Sequence, residues 1–178
     1  MLKRRSLLLR LIASVVLALG KPALAASPRH LVATIRHVSD GDSITALSDN
    51  DTKLRIRLLG IDAPEVAHDK KPGQPYGEDA RVYLDHLIGA KTVRVDAYGP
   101  DQYKRLLGVI WDDQVNVNLL MVAMGYAEVY RGAPRQVACR ELERAEAKAR
   151  QDRVGMWAQG AKYESARDFR RRVRIQGD

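Results

Sequence analysis

Two acids flank a glycine in "SDGDS" (Asp40 and Asp42), and two more flank a stiff Ala-Pro turn in "GIDAPE" (Asp62 and Glu65). Two arginines go with them: Arg57, just upstream of Asp62, and Arg105 in "DQYKRLLG". Singly, each has an ordinary reading. Asp-Gly is a common hairpin signal, Asp62 and Glu65 could be loop or helix-capping acids, and an arginine at a strand start is usually solvated. Together they contain the parts of a metal-assisted phosphoryl transfer. A hard divalent cation takes oxygen ligands from carboxylates, backbone carbonyls and water; Asp42 and Asp62 could supply two carboxylates, and the turn at Ala63 a carbonyl. Glu65 is near enough in sequence to accept or orient a water proton. Arg57 and Arg105 could clamp the phosphoryl oxygens, since a guanidinium stays charged and binds them through a planar fork. No nucleophilic Ser or Cys constellation accompanies the set.

These residues need a frame. Leu54, Ile56 and Leu58 alternate with Arg55 and Arg57, the period-2 pattern of a half-buried strand that ends at Gly60. Two further strand-like runs precede it, about 31–38 and 43–47, separated by the turns "SDGD" and "SDND". A Lys-, Pro- and Gly-rich loop leads into a helix over about 77–88, with Ala80, Tyr83, Leu84, Leu87 and Ile88 on one face. "KTVRVDAY" and "RLLGVIW" read as strands, "VNVNLLMVAMGYA" as a short helix, and "QVACRELERAEAKARQDRVGMW" as a longer one. Five short strands with three helices predict a mixed α+β domain built on a twisted barrel rather than a parallel sheet.

Composition divides the chain into three. Residues 1–25 have a basic start (Lys3, Arg4, Arg5), an apolar run from Leu11 to Leu19 and an Ala23-x-Ala25 ending, which predicts a secretory signal peptide and a periplasmic or secreted protein. The formal net charge of +8 belongs largely to this segment, which holds five basic residues and no acids, and to the C-terminal run "RDFRRRVRIQGD". The domain at 26–160 is therefore close to neutral, so any case for a polyanionic partner rests on local placement. The arginine-rich tail at 161–178 shows no clear apolar face and is expected to be mobile, assisting encounter with a polyanion. The single cysteine, Cys139, has no partner for an internal disulfide and reads as a small buried residue.

"SDGDS", "RIRLLGIDAPE", "PYGEDA", "DQYKRLLG", "VNVNLLMVAMGYA" and "AEAKARQDRVGMW" together resemble the staphylococcal-nuclease (thermonuclease) family, in its order and approximate spacing from about Val32 to Trp157. The resemblance implies a five-stranded OB-type β-barrel with three α-helices. It also implies calcium-dependent hydrolysis of DNA and RNA to 3′-phosphate ends. Carried over residue by residue, it makes Asp42, Asp62 and the Ala63 carbonyl calcium ligands, with Asp40 near the ion through water. Glu65 matches the proposed general base, and Arg57 and Arg105 the phosphate-binding arginines. Tyr103 and Tyr130 match tyrosines of the nucleotide pocket, and Lys70 and Lys71 lie where the family often contacts nucleic acid. No stable protein partner is implied, and a monomer is expected.

The departures are specific. Ser43 and Ala63 stand where the family has threonine; the first keeps a hydroxyl and the second keeps the carbonyl. Lys104 stands where the motif has glycine. If that position requires positive φ, lysine there costs on the order of 1 kcal/mol and could displace Arg105, although it also adds a cation beside a phosphate pocket. The alternative to an enzyme is a non-catalytic OB-fold nucleic-acid-binding module of the cell envelope. Such a binder needs a basic groove and stacking aromatics, and acids beside the bound phosphate would repel its ligand.

Overall fold

The computed structural model describes residues 27–69, 71–132 and 140–176, so the expected signal peptide, Lys70 and Cys139 lie outside it. The alternating segments form the strands they predict: β1 (Arg29–Asp40), β2 (Ser43–Ser48) and β3 (Lys53–Leu58) make an antiparallel meander. β4 (Ile61–Asp62) is a two-residue strand, and after helix α1 (Gly77–Ile88) come β5 (Thr92–Pro100) and β6 (Leu106–Asp112). β5 pairs with β1 and with β6, and β6 pairs in parallel with β3 through Ile56 opposite Leu106 and Leu58 opposite Gly108. That last pairing closes the five long strands into a barrel, which removes the exposed edges an open sheet would present. Gly108 permits the closure: a Cβ there would stand 2.9 Å from a Val95 methyl and 3.1 Å from one of Ile56.

Inside the barrel, Ile35, Val38, Ile44, Ile56, Leu58, Val95 and Ile110 are fully buried, and Leu84 and Ile88 of α1 pack on the same core. A short strand β7 (Val115–Asn116) leads into α2 (Val117–Ala123), where the Asn116 side chain accepts the Leu119 N–H as an N-cap. Buried Asn118 links barrel to helix: its amide donates to the carbonyls of Leu59 and Gly108, and its Oδ1 accepts from the Ile110 N–H. Strand β8 (Glu128–Val129) pairs with β4, setting Asp62 opposite Glu128.

The C-terminal third departs from expectation twice. Helix α3 (Arg140–Asp152) stops before the Gly-Met-Trp segment, where Arg153 and Gly155 adopt positive φ and a 3-10 segment (Gly155–Lys162) follows. The tail, expected to be mobile, instead forms a fourth helix, α4 (Ala166–Gln176), packed on the domain through buried Ala166 and Phe169. Its start is fastened twice. Ser165 Oγ accepts the Asp168 N–H and donates to Asp168 Oδ2, while Glu128 Oε1 accepts the Ala166 N–H at 3.0 Å.

Candidate metal and phosphate site

The β1–β2 turn and the end of β3 meet where the acids lie. Gly41 lets the turn press against Ala63 and α1, since a Cβ there would come within 2.7 Å of the methyls of both Ala63 and Ala80. The Asp42 carbonyl accepts the Leu58 N–H at 2.8 Å, fixing Asp42 beside β3. Its carboxylate takes the Ala63 N–H on Oδ2 at 2.8 Å and the Ser43 hydroxyl on Oδ1 at 3.0 Å. Arg57 then bridges the two aspartates, with Nη1 on Asp42 Oδ1 and Nη2 on Asp62 Oδ1 at 2.6 Å.

The bridge is buried, with side-chain exposures of 16% for Arg57, 1% for Asp42 and 3% for Asp62. Burial pushes the Asp42 carboxyl well above its usual range; Arg57 opposes this, whereas Asp40 and Asp62 add to it. Burial by itself would lower the Arg57 pKa, but the two carboxylates outweigh it and the guanidinium is held more firmly charged. Two carboxylates are thus drawn together in a dry pocket that demands positive charge between them, which the Arg57 guanidinium supplies in this structure. Hard oxygen donors around such a position suit calcium. Among the described residues no three acidic, histidine or cysteine side chains form a ligand cluster alone, so a backbone carbonyl such as that of Ala63, together with water, would have to complete the shell. Asp40 faces the turn: its Oδ1 accepts the Asp42 N–H at 3.0 Å.

Glu65 sits at the mouth of this pocket, on a loop clamped by Gln74, whose N–H donates to the Glu65 carbonyl at 2.8 Å. Arg105 reaches the pocket from the β5–β6 connection, its Nη1 lying 3.4 Å from Ser43 Oγ, next to Asp42. Asp101 positions it and escaped the sequence reading. Its Oδ1 accepts the backbone N–H groups of Tyr103 and Arg105, and its Oδ2 accepts Arg105 Nε at 2.8 Å. Burial tends to raise the Asp101 carboxyl, but these hydrogen bonds outweigh it and hold the group below its ordinary value. An aspartate after Pro100 and four residues before an arginine is the turn signal that marked it.

The remaining candidates lie at the rim. Tyr103 is exposed, with the Arg105 guanidinium 5.5 Å from its ring centroid. Tyr130 is anchored through its N–H to the Gly60 carbonyl at 2.9 Å and is also exposed, though less than Tyr103. Lys71 stands on the loop bridging back to His68. Lys104 has φ +61°, the left-handed conformation that favours glycine. Lys104→Gly is therefore expected to leave Arg105 in place, because Asp101 holds it, and to stabilise the fold by up to about 1 kcal/mol. Denaturant titration checks this; a destabilised glycine variant would show that the lysine side chain contributes more than its backbone strain costs.

The residue missed altogether is Arg170 on α4. Its Nη1 contacts Asp62 Oδ1 at 3.0 Å and Glu65 Oε1 at 2.6 Å, and its Nη2 contacts Asp62 Oδ2 at 2.7 Å. The two carboxylates raise its pKa against the opposing effect of burial. The signal was present as Ser165-x-x-Asp168, a helix-start pattern, with Ala166, Phe169 and Val173 at i, i+3, i+7.

A closed five-stranded barrel with flanking helices, carrying acids and arginines at the β1–β2 turn and the β3 end, defines an OB-type α+β domain with a buried anionic pocket. Over residues 55–159 the chain matches the family of staphylococcal nuclease homologues, and it belongs to that family. Among curated proteins it is 35% identical over 131 residues to a "probable endonuclease LCL3" of Scheffersomyces stipitis, covering 68% of this chain and 54% of that protein. The protein of the same name from Pyricularia oryzae is 36% identical over 124 residues, covering 66% and 48%. That of Clavispora lusitaniae is 30% identical over 178 residues, covering 84% and 76%. The chain spans about half the length of the first two of these relatives.

Proposed function

We propose that this chain is an exported, calcium-dependent nuclease that hydrolyses phosphodiester bonds of DNA and RNA to 3′-phosphate and 5′-hydroxyl ends. The observation that carries the reading is the meeting, in one pocket, of Asp42 and Asp62 bridged by Arg57, with Glu65 at the mouth and Arg105 at Ser43. Family membership and the names of the relatives as probable endonucleases support the same reaction class. In this reading Asp42, Asp62 and the Ala63 carbonyl would hold calcium, with the Asp40 carboxylate close by on the Asp42 N–H. A bound calcium supplies Lewis-acid polarisation of the phosphoryl group.

The chain's own residues do the rest. Glu65 accepts the proton of a water directed at phosphorus, the P–O5′ bond breaks, and the proton returns to the departing oxygen. Arg57 and Arg105 bind the phosphoryl oxygens as charge accumulates there, Arg105 pre-oriented by Asp101. Tyr103 and Tyr130 line the nucleotide side, with Lys104 a further cation at the rim. The basic, apolar and small-residue pattern of the first 25 residues supports export to the periplasm or outside the cell.

A basic track supports a strand-like substrate. Lys53 and Arg55 share the outward face of β3 with Arg57, and alternate residues of a strand stand about 6.7 Å apart. A register shift between Ile35 and His37 leaves Arg36 and His37 both exposed, so Arg36 joins this face beside Thr45, Leu47 and Lys53. Among the described residues, Arg36, Lys53 and Arg55 form no ion pair. Local placement thus provides what the near-neutral domain charge does not. Reversing Lys53 and Arg55 to Glu together is expected to raise KM for single-stranded polynucleotides about tenfold at low salt. The salt slope should become shallower by about 0.7 per lost phosphate contact. Turnover of a dinucleotide should be unchanged, because it cannot reach the track; equal effects on both substrates would remove the track from binding.

The decisive assay incubates the purified protein with plasmid and RNA in calcium, then with a chelator. Cleavage that the chelator abolishes, with product ends that accept phosphate at the 5′ position, is the expected result. Retention of nucleic acid without cleavage would instead support the binding module.

A further inference from the structure

Arg170 places a second guanidinium, after Arg57, on the acids of the pocket, and it comes from α4. Its fork takes both oxygens of Asp62, and one of its nitrogens also takes Glu65 Oε1. One side chain therefore engages both a carboxylate assigned to the metal and the carboxylate assigned to the proton. A guanidinium in bidentate contact neutralises the charge a divalent cation needs and stands on the oxygens it would coordinate.

Packing imposes this position. Phe169, next to Arg170, is buried, as is Ala166 one turn earlier, and the Ala166 N–H is fastened to Glu128, which lies across from Asp62 in the β4–β8 pair. On the far side Arg172 forms a two-pronged pair with Glu164, Nε to Oε1 at 2.9 Å and Nη2 to Oε2 at 2.7 Å. The contact is nonetheless releasable. The Arg170 side chain is 40% exposed and Glu65 34%, so water and salt weaken that arm. Among the described side chains of α4, Ala166 and Phe169 are the buried ones.

We propose that α4 is an autoinhibitory strap: in the ligand-free protein Arg170 covers both carboxylate oxygens of Asp62 and reaches Glu65 Oε1, and it must leave before calcium can take Asp62 and a substrate phosphate can enter. This rests on the calcium reading of Asp42 and Asp62. Calcium and Arg170 then compete for Asp62, so calcium alone binds more weakly than the bare carboxylates would allow. Nucleic acid favours release, because α4 carries five arginines that a polyanion attracts once the helix swings out. Substrate and metal would therefore bind cooperatively, each paying less when the other has opened the site.

Calorimetric titration of the full chain with calcium, parent against Arg170→Gln, tests the strap without any turnover. A site open about a tenth of the time binds about tenfold more weakly than its intrinsic affinity, so Arg170→Gln is expected to bind calcium about tenfold tighter. Arg170→Lys, which keeps the charge but loses the fork, should fall between the two. In the parent, backbone amides of residues 169–174 should exchange faster with solvent deuterium once calcium and a nucleoside 3′,5′-bisphosphate are added. Equal or weaker calcium binding by Arg170→Gln, or unchanged exchange in α4, overturns the strap and leaves the metal reading standing. If neither chain binds calcium with the bisphosphate present, the strap and the metal reading fall together.

Discussion

Glu65→Gln is expected to lower kcat by about 10²–10⁴-fold, the usual loss when a general base is removed, while KM changes little. Glutamine keeps the length and shape of the side chain, and Glu65 is partly exposed on a loop held through its backbone by Gln74. The fold should therefore be unaffected. The same substitution weakens the Arg170 contact at Glu65 Oε1, so calcium affinity should stay the same or rise. That combination, slower chemistry with undiminished metal binding, separates a proton acceptor from a metal ligand. Steady-state kinetics at saturating calcium decide it. A Glu65→Gln protein that cuts at the parent rate would remove Glu65 from the mechanism.

Arg57→Met should have the largest effect on stability. Removing one partner of a buried ion pair leaves an uncompensated charge and typically costs about 3–5 kcal/mol. Asp62 would keep Arg170, but among the described residues Asp42 would retain only the Ser43 hydroxyl and the Ala63 N–H. Methionine fills most of the volume, so the loss reports charge rather than a cavity. Calcium should restore part of the stability, since a ligand that binds only the folded state stabilises it by mass action. Thermal unfolding with and without calcium measures both quantities. An Arg57→Met protein as stable as its parent would mean that the two aspartates do not depend on the bridge, and no calcium rescue would count against an ion between them.

Most of the barrel was legible in the chain because it is specified locally. The alternation around Arg55 and Arg57 sets which face of β3 is buried, and a one-residue slip would expose Ile56 and Leu58, so pattern and register are one constraint. The short motifs behaved similarly. "SDGDS" forms a compact turn, "GIDAPE" leads from the Gly60 turn through the two-residue strand β4, and Lys104 occupies the positive-φ position that its place in the motif made suspect.

Contacts between residues far apart in sequence follow from chain closure alone. The sequence points to Arg57 as a phosphate clamp, and the structure adds Asp42 and Asp62 as its nearest partners, which closure of the meander and the β4–β8 pair bring to either side of it. Asp101 acquires its role because the turn it caps delivers Arg105 to Ser43, sixty-two positions upstream. Helix α4 shows the point most sharply. With five arginines its sequence reads as a solvated tail, because two buried side chains and a Ser-x-x-Asp start are a weak local signal. Its stability comes from docking, and docking depends on Glu128, Asp62 and Glu65 standing together on a surface that exists only once the barrel has closed. Periodicity fixes elements, since each residue then interacts with near neighbours. A site assembled from the β1–β2 turn, the end of β3, the β5–β6 connection and the C-terminal helix is fixed by chain closure, whose geometry no local pattern carries.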